Sequence, residues 1–487
     1  MTASFFWLVM AAVALVILSF GYVAELDFLM AVGFAFGAVA GGTTLWLVIS
    51  QQNNHWSCCD ILAGSTTAWY YMGAASSIWF ADHEQLKFWN ITRDFDLTFI
   101  YAAAVYLAIF AIALHICGTW ERRFWRPVFV RLTEPRPIPG YLFYLLVALA
   151  IAQVGLLASG RWSFGGFDTS ASVRELDIFT ASIVAIAWPV AAVCAYILGR
   201  GRNLSSPLLY TFSMGLLPFE FLWSLAYGRR VVIYQVLTVV ACYLWAKRSK
   251  AAVRMVIILG LIGVPVISYA SQLFLAIRMA QWTGGMTGAR LNMMEHLSRG
   301  SAVMGQRTEA LKRMQAENLS TRTFMIGYFA SLIANTKPSS PMVGADLAIN
   351  TLEAVPRVLF PLKTEIIEKA GKHESLYHPH FNLQVRDEAN SYATSSWVDF
   401  WIFGPLIYPA VLALLGAALA KLTSTVPEQW MVVYYLSYVL FSFMFVEETV
   451  TVYLLTLRTL LAVSIIAFAV GIVLGRRQAV SVPGSRL

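Results

Sequence analysis

Apolar runs of roughly 20 residues recur from one end of this chain to the other, each long enough to cross a ~30 Å hydrocarbon core as a helix. Such a chain has few folding options. Lipid offers the backbone no hydrogen-bond partners, so only helices or closed barrels can span it, and runs of this length predict helices. Of the 487 residues, 58% are hydrophobic and 13% charged, about half the charged share of a soluble domain. The expected fold is an all-α, polytopic integral membrane protein.

The expected spans are 4–23, 28–50, 61–80, 97–117, 140–159, 178–199, 207–227, 231–246, 255–276, 398–420, 430–447 and 452–475, about 12 transmembrane helices. The first run, FFWLVMAAVALVILSFGYVA, has spanning length and lacks a basic leader or small-residue cleavage site, so it reads as a span. The third, ILAGSTTAWYYMGAASSIWF, is rich in small and aromatic residues, which suits a helix buried among others or lying in the interface. Arg and Lys cluster in TWERRFWRPVFVRLTEPRP, RGRN, KRSKAAVR and the tail from Arg476. Twelve spans put all of these on the cytoplasmic side, with both termini. In a bacterial inner membrane the other side is the periplasm. The chain then divides into spans one to nine (1–276), a periplasmic helical cap loop (277–397), and spans ten to twelve with a cytoplasmic tail (398–487).

The net charge of +8 sits at span ends, which orients a membrane protein and argues against nucleic acid as a partner. Cys58, Cys59, Cys117, Cys194 and Cys242 fall in or beside spans without C-x-x-C spacing, so they read as reduced thiols. Gly33, Gly37 and Gly41 repeat every four residues, a stripe that lets helices approach closely. No internal repeat is evident, which counts mildly against a transporter built from inverted halves.

Segment 277–397 is too long for an idle connection. RLNMMEHLSRGSAVMGQRTEALKRMQAENLS is helix-compatible, TRTFMIGYFASLIANT is apolar enough to lie on or dip into the bilayer, and ADLAINTLEAV reads as a helix that Pro356 ends. Charges within or against the bilayer cost about 2.5–3.5 kcal/mol each, so those present need partners or a polar cavity. Glu220, the Arg229–Arg230 turn, and Arg458 after Glu447 and Glu448 stand out. Paired internal charges explain Glu220 as well as function does. The arginines suit a phosphate or pyrophosphate, because the guanidinium fork matches its oxygens and keeps its charge.

After the cap, Arg357, Lys363, His373, His378, His380, Arg386, Asp387, Glu388 and Asp399 lie just outside span ten. Cations and candidate bases converge there. The histidine spacing is too irregular for a zinc site, so no metal is assigned. Two acid-x-acid pairs, Glu25/Asp27 and Asp94/Asp96, leave open a metal-dependent polyprenyl-phosphate-sugar glycosyltransferase.

Three ordered stretches, AYGRRVVIYQVLTVVACYLWAKR, AVPRVLFPLK and RDEANSYATSSWVDFWIFGPLIY, resemble the motifs of the Wzy-like oligosaccharide repeat-unit polymerases of O-antigen, enterobacterial common antigen and exopolysaccharide pathways. These are a Gly-x-Arg turn opening a span, a Pro–apolar–Pro–Lys/Arg pattern, and a polar stretch leading through Phe-Gly into the next span. The resemblance covers the chain from about residue 207 onward. Here the turn reads Gly-Arg-Arg, so either Arg229 or Arg230 stands as its counterpart. O-antigen ligases, a related branch, use a histidine in this loop, for which His378 or His380 would serve.

The resemblance implies a GT-C-like architecture. It also implies transfer of a growing glycan from undecaprenyl pyrophosphate to a second lipid-linked repeat unit, metal-independent and without a cofactor. Arg229, Arg230, Arg357, Lys363, Arg386 and Arg458 would bind the pyrophosphate, and Asp387, Glu388, His378 or His380 would take the acceptor's proton, Asp387 first. The expected partners are the undecaprenyl-pyrophosphate-linked oligosaccharide, the lipid bilayer, a chain-length regulator and a flippase. The alternatives are a ligase acting on another acceptor, the metal-dependent glycosyltransferase, and a transporter of lipid-linked oligosaccharide. The polyprenyl tails are expected in a lipid-facing groove, with the amphipathic pieces of 290–336 over the sugars.

Overall fold

The structure is a computed structural model that describes residues 3–50, 56–80, 97–134, 136–159, 161–162, 178–227, 229–283, 293–306, 309–311, 325–336, 341–371, 374–381, 390–447 and 449–480. Among these residues every regular element is a helix. The first five are α1 (Ala3–Val23), α2 (Asp27–Ser50), α3 (Cys58–Phe80), α4 (Leu97–Thr133) and α5 (Tyr141–Ala158). Next come α6 (Ile178–Ala187) and α7 (Val190–Arg200), halves of one apolar run parted at Pro189, whose missing N–H and bulky ring break the helical ladder. The middle holds α8 (Pro207–Tyr227), α9 (Arg229–Lys247) and α10 (Lys250–Thr283).

Shorter helices follow: α11 (Met293–Gln306), α12 (Met325–Asn335), α13 (Ala345–Ala354), α14 (Lys363–Ala370) and α15 (Glu374–Phe381). The chain closes with α16 (Tyr392–Phe400), a 3-10 turn at Trp401–Phe403, α17 (Gly404–Thr425), α18 (Gln429–Met444) and α19 (Val450–Val480).

Seven helices among the described residues are long and apolar enough to cross a membrane: Asp27–Ser50, Leu97–Thr133, Tyr141–Ala158, Ser182–Arg200, Pro207–Leu225, Tyr392–Thr425 and Val450–Phe468. Val16, Phe20, Ile116, Tyr144, Ile151, Leu208, Leu414 and Ile465 stay exposed on the bundle's outside, an apolar surface far beyond what a soluble monomer tolerates. The protein is a helical membrane protein. Between α5 and α8 an apolar groove of about 470 Å³, lined by Phe143, Val154, Phe212 and Phe219, faces outward.

The small-residue stripe of α2 works as read. Gly33 abuts α1 at Leu18 and Ala14, while a Cβ on Gly41 would stand 2.5 Å from the Ala68 nitrogen of α3. Helix α3, whose crossing the sequence leaves open, lies buried between α2 and α4, with residues 58–67 all buried. Its small residues allow backbone contact, and its polar ones bond inside the bundle. Tyr71, for example, donates to Ala104 O at 2.8 Å.

Helix α12 is expected to lie on or dip into the bilayer; its residues 325–332 are buried, packed against α3 and α4. Helix α10 continues to Thr283, past the expected end at 276.

Basic loops gather at one end of the bundle. Arg131 donates to Ser424 O (2.7 Å) and Val426 O (2.6 Å), Arg200 to Glu134 O (2.6 Å), and Gln429 to Arg131 O and Glu134 O. At the same end Trp245 of α9 donates to Ile49 O of α2 at 2.7 Å. The small helix α13 packs on the start of α19, at the far end of the bundle.

Candidate functional site

Helix α13 organises the cations that sequence reading singles out. Its N-cap is Gly344, which has no side-chain oxygen to satisfy the first free N–H groups. Asp399 of α16 supplies the acceptors from a distance: its carboxylate takes Asp346 N at 3.0 Å, Leu347 N at 2.9 Å and the Tyr408 hydroxyl at 2.7 Å. Asp399 is therefore fully buried and serves as an anchor, not as part of an outward charge cluster. Midway, Asn350 receives Thr449 and Thr451 hydroxyls, pinning α13 to α19.

At the other end of α13, Val355 turns extended (φ −68°, ψ 132°), as the residue before a proline must. The carbonyls left over are taken by cations. Arg458 Nη1 donates to Ala354 O at 2.9 Å, and Lys363 Nζ donates to Glu353 O at 2.9 Å and to Val355 O. Cations at a helix C-terminus complement its negative dipole end. Arg458 is exposed and makes no other hydrogen bond among the described residues.

Arg357, exposed on the turn after Pro356, completes the group. Burial first, then Arg458 and Arg357, lower the Lys363 ammonium below its ordinary 10.5, with Glu353 opposing. Arg357 and Arg458 thus act on Lys363 across a small patch, with Glu353 opposing them. Around them the chain makes two tight turns, Leu359 N to Pro356 O and Lys363 N to Phe360 O. These leave Val358 (92%), Leu359 (75%) and Leu362 (61%) exposed. Those three, and not the half-buried Phe360, form the apolar tip.

The other sequence candidates separate. His378 is fully buried, its Nε2 3.0 Å from the Tyr328 hydroxyl of α12, whereas His380 is exposed against the Phe381 ring. Arg386, Asp387 and Glu388 lie outside the described residues, as do His373, Glu448, Asp94 and Asp96. Arg229 and Arg230 open α9, but their side chains lie outside the described residues. Glu220 has an amide partner, not a cation: Gln153 Nε2 donates to it at 3.1 Å. Glu25 and Asp27 are exposed. Among the described residues no three His, Cys, Asp or Glu side chains gather as a metal site.

The segment running into span ten is a buried polar plug. Residues 390–396 are all buried, with Ser391 and Thr394 forming a capping box at the start of α16. Tyr70 reaches Ser391 at 2.6 Å and Tyr106 reaches Ser396 at 2.7 Å. Asn390 Nδ2 and Ser395 Oγ have no partner among the described residues. The Phe403–Gly404 pair marks the corner into α17: a Cβ at Gly404 would lie 2.3 Å from Ser396 O.

A second charged cluster went unseen in the sequence. Near the basic end, Arg122 grips Asp60 with two 2.7 Å bonds, and His115 Nδ1 lies 2.8 Å from the same carboxylate. Glu121 accepts from Cys58 N (2.7 Å), Cys59 N (3.1 Å) and Trp125 Nε1 (2.8 Å), capping α3. The signal available was the spacing of His115 and Arg122, two turns apart on one face of α4.

No family model, curated protein or solved structure matches the chain.

Proposed function

We propose that the protein is a polysaccharide polymerase of the bacterial inner membrane, extending a glycan carried on undecaprenyl pyrophosphate. The observation that carries this reading is the grouping of Arg357, Lys363 and Arg458 at the end of α13, joined from segments about a hundred residues apart. Crowded cations suit a pyrophosphate, which spreads charge over several oxygens. The apolar tip of Val358, Leu359 and Leu362 fits an interfacial setting, where a lipid carrier presents its phosphates.

In this reading the chain crosses the membrane twelve times in a GT-C-like arrangement, with both termini cytoplasmic and α13 on the periplasmic side. Gathering of the basic loops at one end of the bundle supports that orientation. The acceptor hydroxyl attacks the anomeric carbon and the bond to the pyrophosphate oxygen breaks. The hydroxyl proton passes to Asp387, with Glu388 or the exposed His380 as alternatives, and the glycan now rests on the acceptor's carrier. Arg357 and Arg458, with Arg229, Arg230 and Arg386, stabilise the charge that grows on the departing pyrophosphate. Lys363 holds the end of α13, so it contributes field more than contact. His378, buried with its Nε2 3.0 Å from the Tyr328 hydroxyl, ranks behind these as the base.

Purified protein given one defined carrier-linked repeat unit should produce a ladder of longer carrier-linked glycans, unaffected by EDTA. A ligase would give nothing until a separate acceptor is added. Loss of the ladder in EDTA would move the protein to the metal-dependent glycosyltransferases, and protected transport without bond formation would make it a transporter.

A further inference from the structure

At the basic end of the bundle a cavity of about 450 Å³ opens between the end of α2, the last turns of α4 and the α9–α10 corner. Three cations line it, Arg126, Arg248 and Lys250, and no carboxylate stands among the described lining residues. Its walls are apolar and aromatic, with Phe129, Trp245 and Val253 among them. Arg126 and Lys250 are exposed and make no ion pair among the described residues. Nothing in the polymerase reading uses this end.

Arg248 is held in an unusual way. Its φ is +44°, in the left-handed region that L-residues other than glycine, asparagine and aspartate seldom adopt. The chain keeps an arginine where glycine would sit without strain. Burial lowers the stability of its charge, Tyr196 opposes that effect, and Arg200 reinforces it. Its Nε donates to Trp245 O at 3.3 Å, which holds the guanidinium at the cavity wall.

Beyond the cavity the lipid side of α10 continues as Met255, Ile257 and Ile258, each half exposed or more. A cationic cavity that leads onto an exposed apolar helix face matches a molecule with an anionic phosphate head and a hydrocarbon chain. The volume lies in the range of small-ligand sites, and basic pockets between spanning helices are the usual receptors for anionic headgroups.

We infer that this cavity is a selective site for an anionic phospholipid of the phosphatidylglycerol or cardiolipin class, its phosphodiester held by Arg126, Arg248 and Lys250 and its acyl chain laid along α10. The inference is independent of the polymerase reading, because it concerns the opposite end of the bundle and is read by lipid binding alone.

The test uses the full-length protein purified in a neutral detergent, with phosphatidylglycerol and phosphatidylcholine of matched chains added and binding read by native mass spectrometry and thermal unfolding. Phosphatidylglycerol should bind about tenfold or more tightly than phosphatidylcholine and raise the unfolding midpoint. Arg126→Gln with Lys250→Gln should erase that preference while leaving the protein's elution and its midpoint in phosphatidylcholine unchanged. Arg248→Gly, which removes the cation but suits the backbone, should also weaken the preference, so the proposal stays testable if the double variant fails to fold. Equal binding of the two lipids by the unaltered protein, or an unchanged preference in the variants, would overturn the assignment. Displacement of phosphatidylglycerol by millimolar inorganic phosphate would overturn it too, in favour of a soluble phosphate compound.

Discussion

Two groups of charges lie near opposite ends of this bundle, and they are finished differently. Around Asp60 every charge is answered: the carboxylate holds Arg122 through two bonds and His115 through a third, and Glu121 is filled by two backbone amides and Trp125. At the end of α13, Lys363 feels Arg357 and Arg458 with Glu353 opposing them, and the exposed Arg458 spends one donor on a backbone carbonyl. A balanced, buried cluster fixes helices. An unbalanced, open one has capacity left for a ligand. The contrast lies in the charge balance as well as the bonds: carboxylates answer Arg122 and His115 in one cluster, while cations predominate in the other.

The largest effect that could break this comparison is at the closed cluster. Asp60→Ala strands the partly buried Arg122, and removing one member of a buried pair costs about 3–5 kcal/mol. Thermal unfolding in detergent should show it, and the added change Arg122→Ala should recover part of the loss. An Asp60→Ala protein as stable as the original would mean the cluster is not structural.

Next is the anchor of the open cluster. Asp399→Ala leaves two α13 amides and the Tyr408 hydroxyl without an acceptor, at about 2 kcal/mol, and hydrogen exchange should speed up in α13 before the rest of the bundle. Arg458→Ala should cost less, about 1 kcal/mol, because only Ala354 O loses its donor. Arg357→Ala should change stability by less than about 0.5 kcal/mol, as expected of an exposed side chain. A larger loss there would make the open cluster structural as well.

The smallest effect is a pH dependence. Lys363 is lowered in the folded protein, so in the window between that lowered value and 10.5 the unfolded chain binds more protons than the folded one. Its contribution therefore makes stability rise with pH through that window. Inorganic pyrophosphate should pull the value back up and flatten the rise, and Lys363→Gln should abolish it. A flat profile in the unaltered protein would remove the crowding argument.

Much of the framework was legible because it rests on local rules. Long apolar runs must become helices in lipid, and α13 ends at the residue before Pro356 because that proline forces Val355 into an extended backbone. The stripe of Gly33, Gly37 and Gly41 could be read for the same reason: spacing alone puts these residues on one face. Partnerships across the chain could not. Asp60 and Arg122 are 62 residues apart, and each alone looks like an interfacial charge staying wet.

The backbone partners of Asp399 and Lys363 were equally hidden. Both sit in a segment rich in charge, yet one feeds the start of α13 and the other its end. His378 and His380 look like a pair in sequence, but residues two apart on a helix face different ways, and one is buried while the other is exposed. Helix α12 carries apolar or small residues on all faces from 325 to 332, which suits its burial against α3 and α4.

The most direct test of the open cluster is the rate at which purified protein lengthens a defined undecaprenyl-pyrophosphate-linked repeat unit, compared between Arg357→Ala and Lys369→Ala. Lys369 is an exposed cation in the same segment, paired with Glu365, so its loss controls for charge alone. The account predicts extension lowered about tenfold or more by Arg357→Ala, about 1.4 kcal/mol in the barrier, and close to unaltered by Lys369→Ala. Equal, undiminished extension by both variants would contradict it.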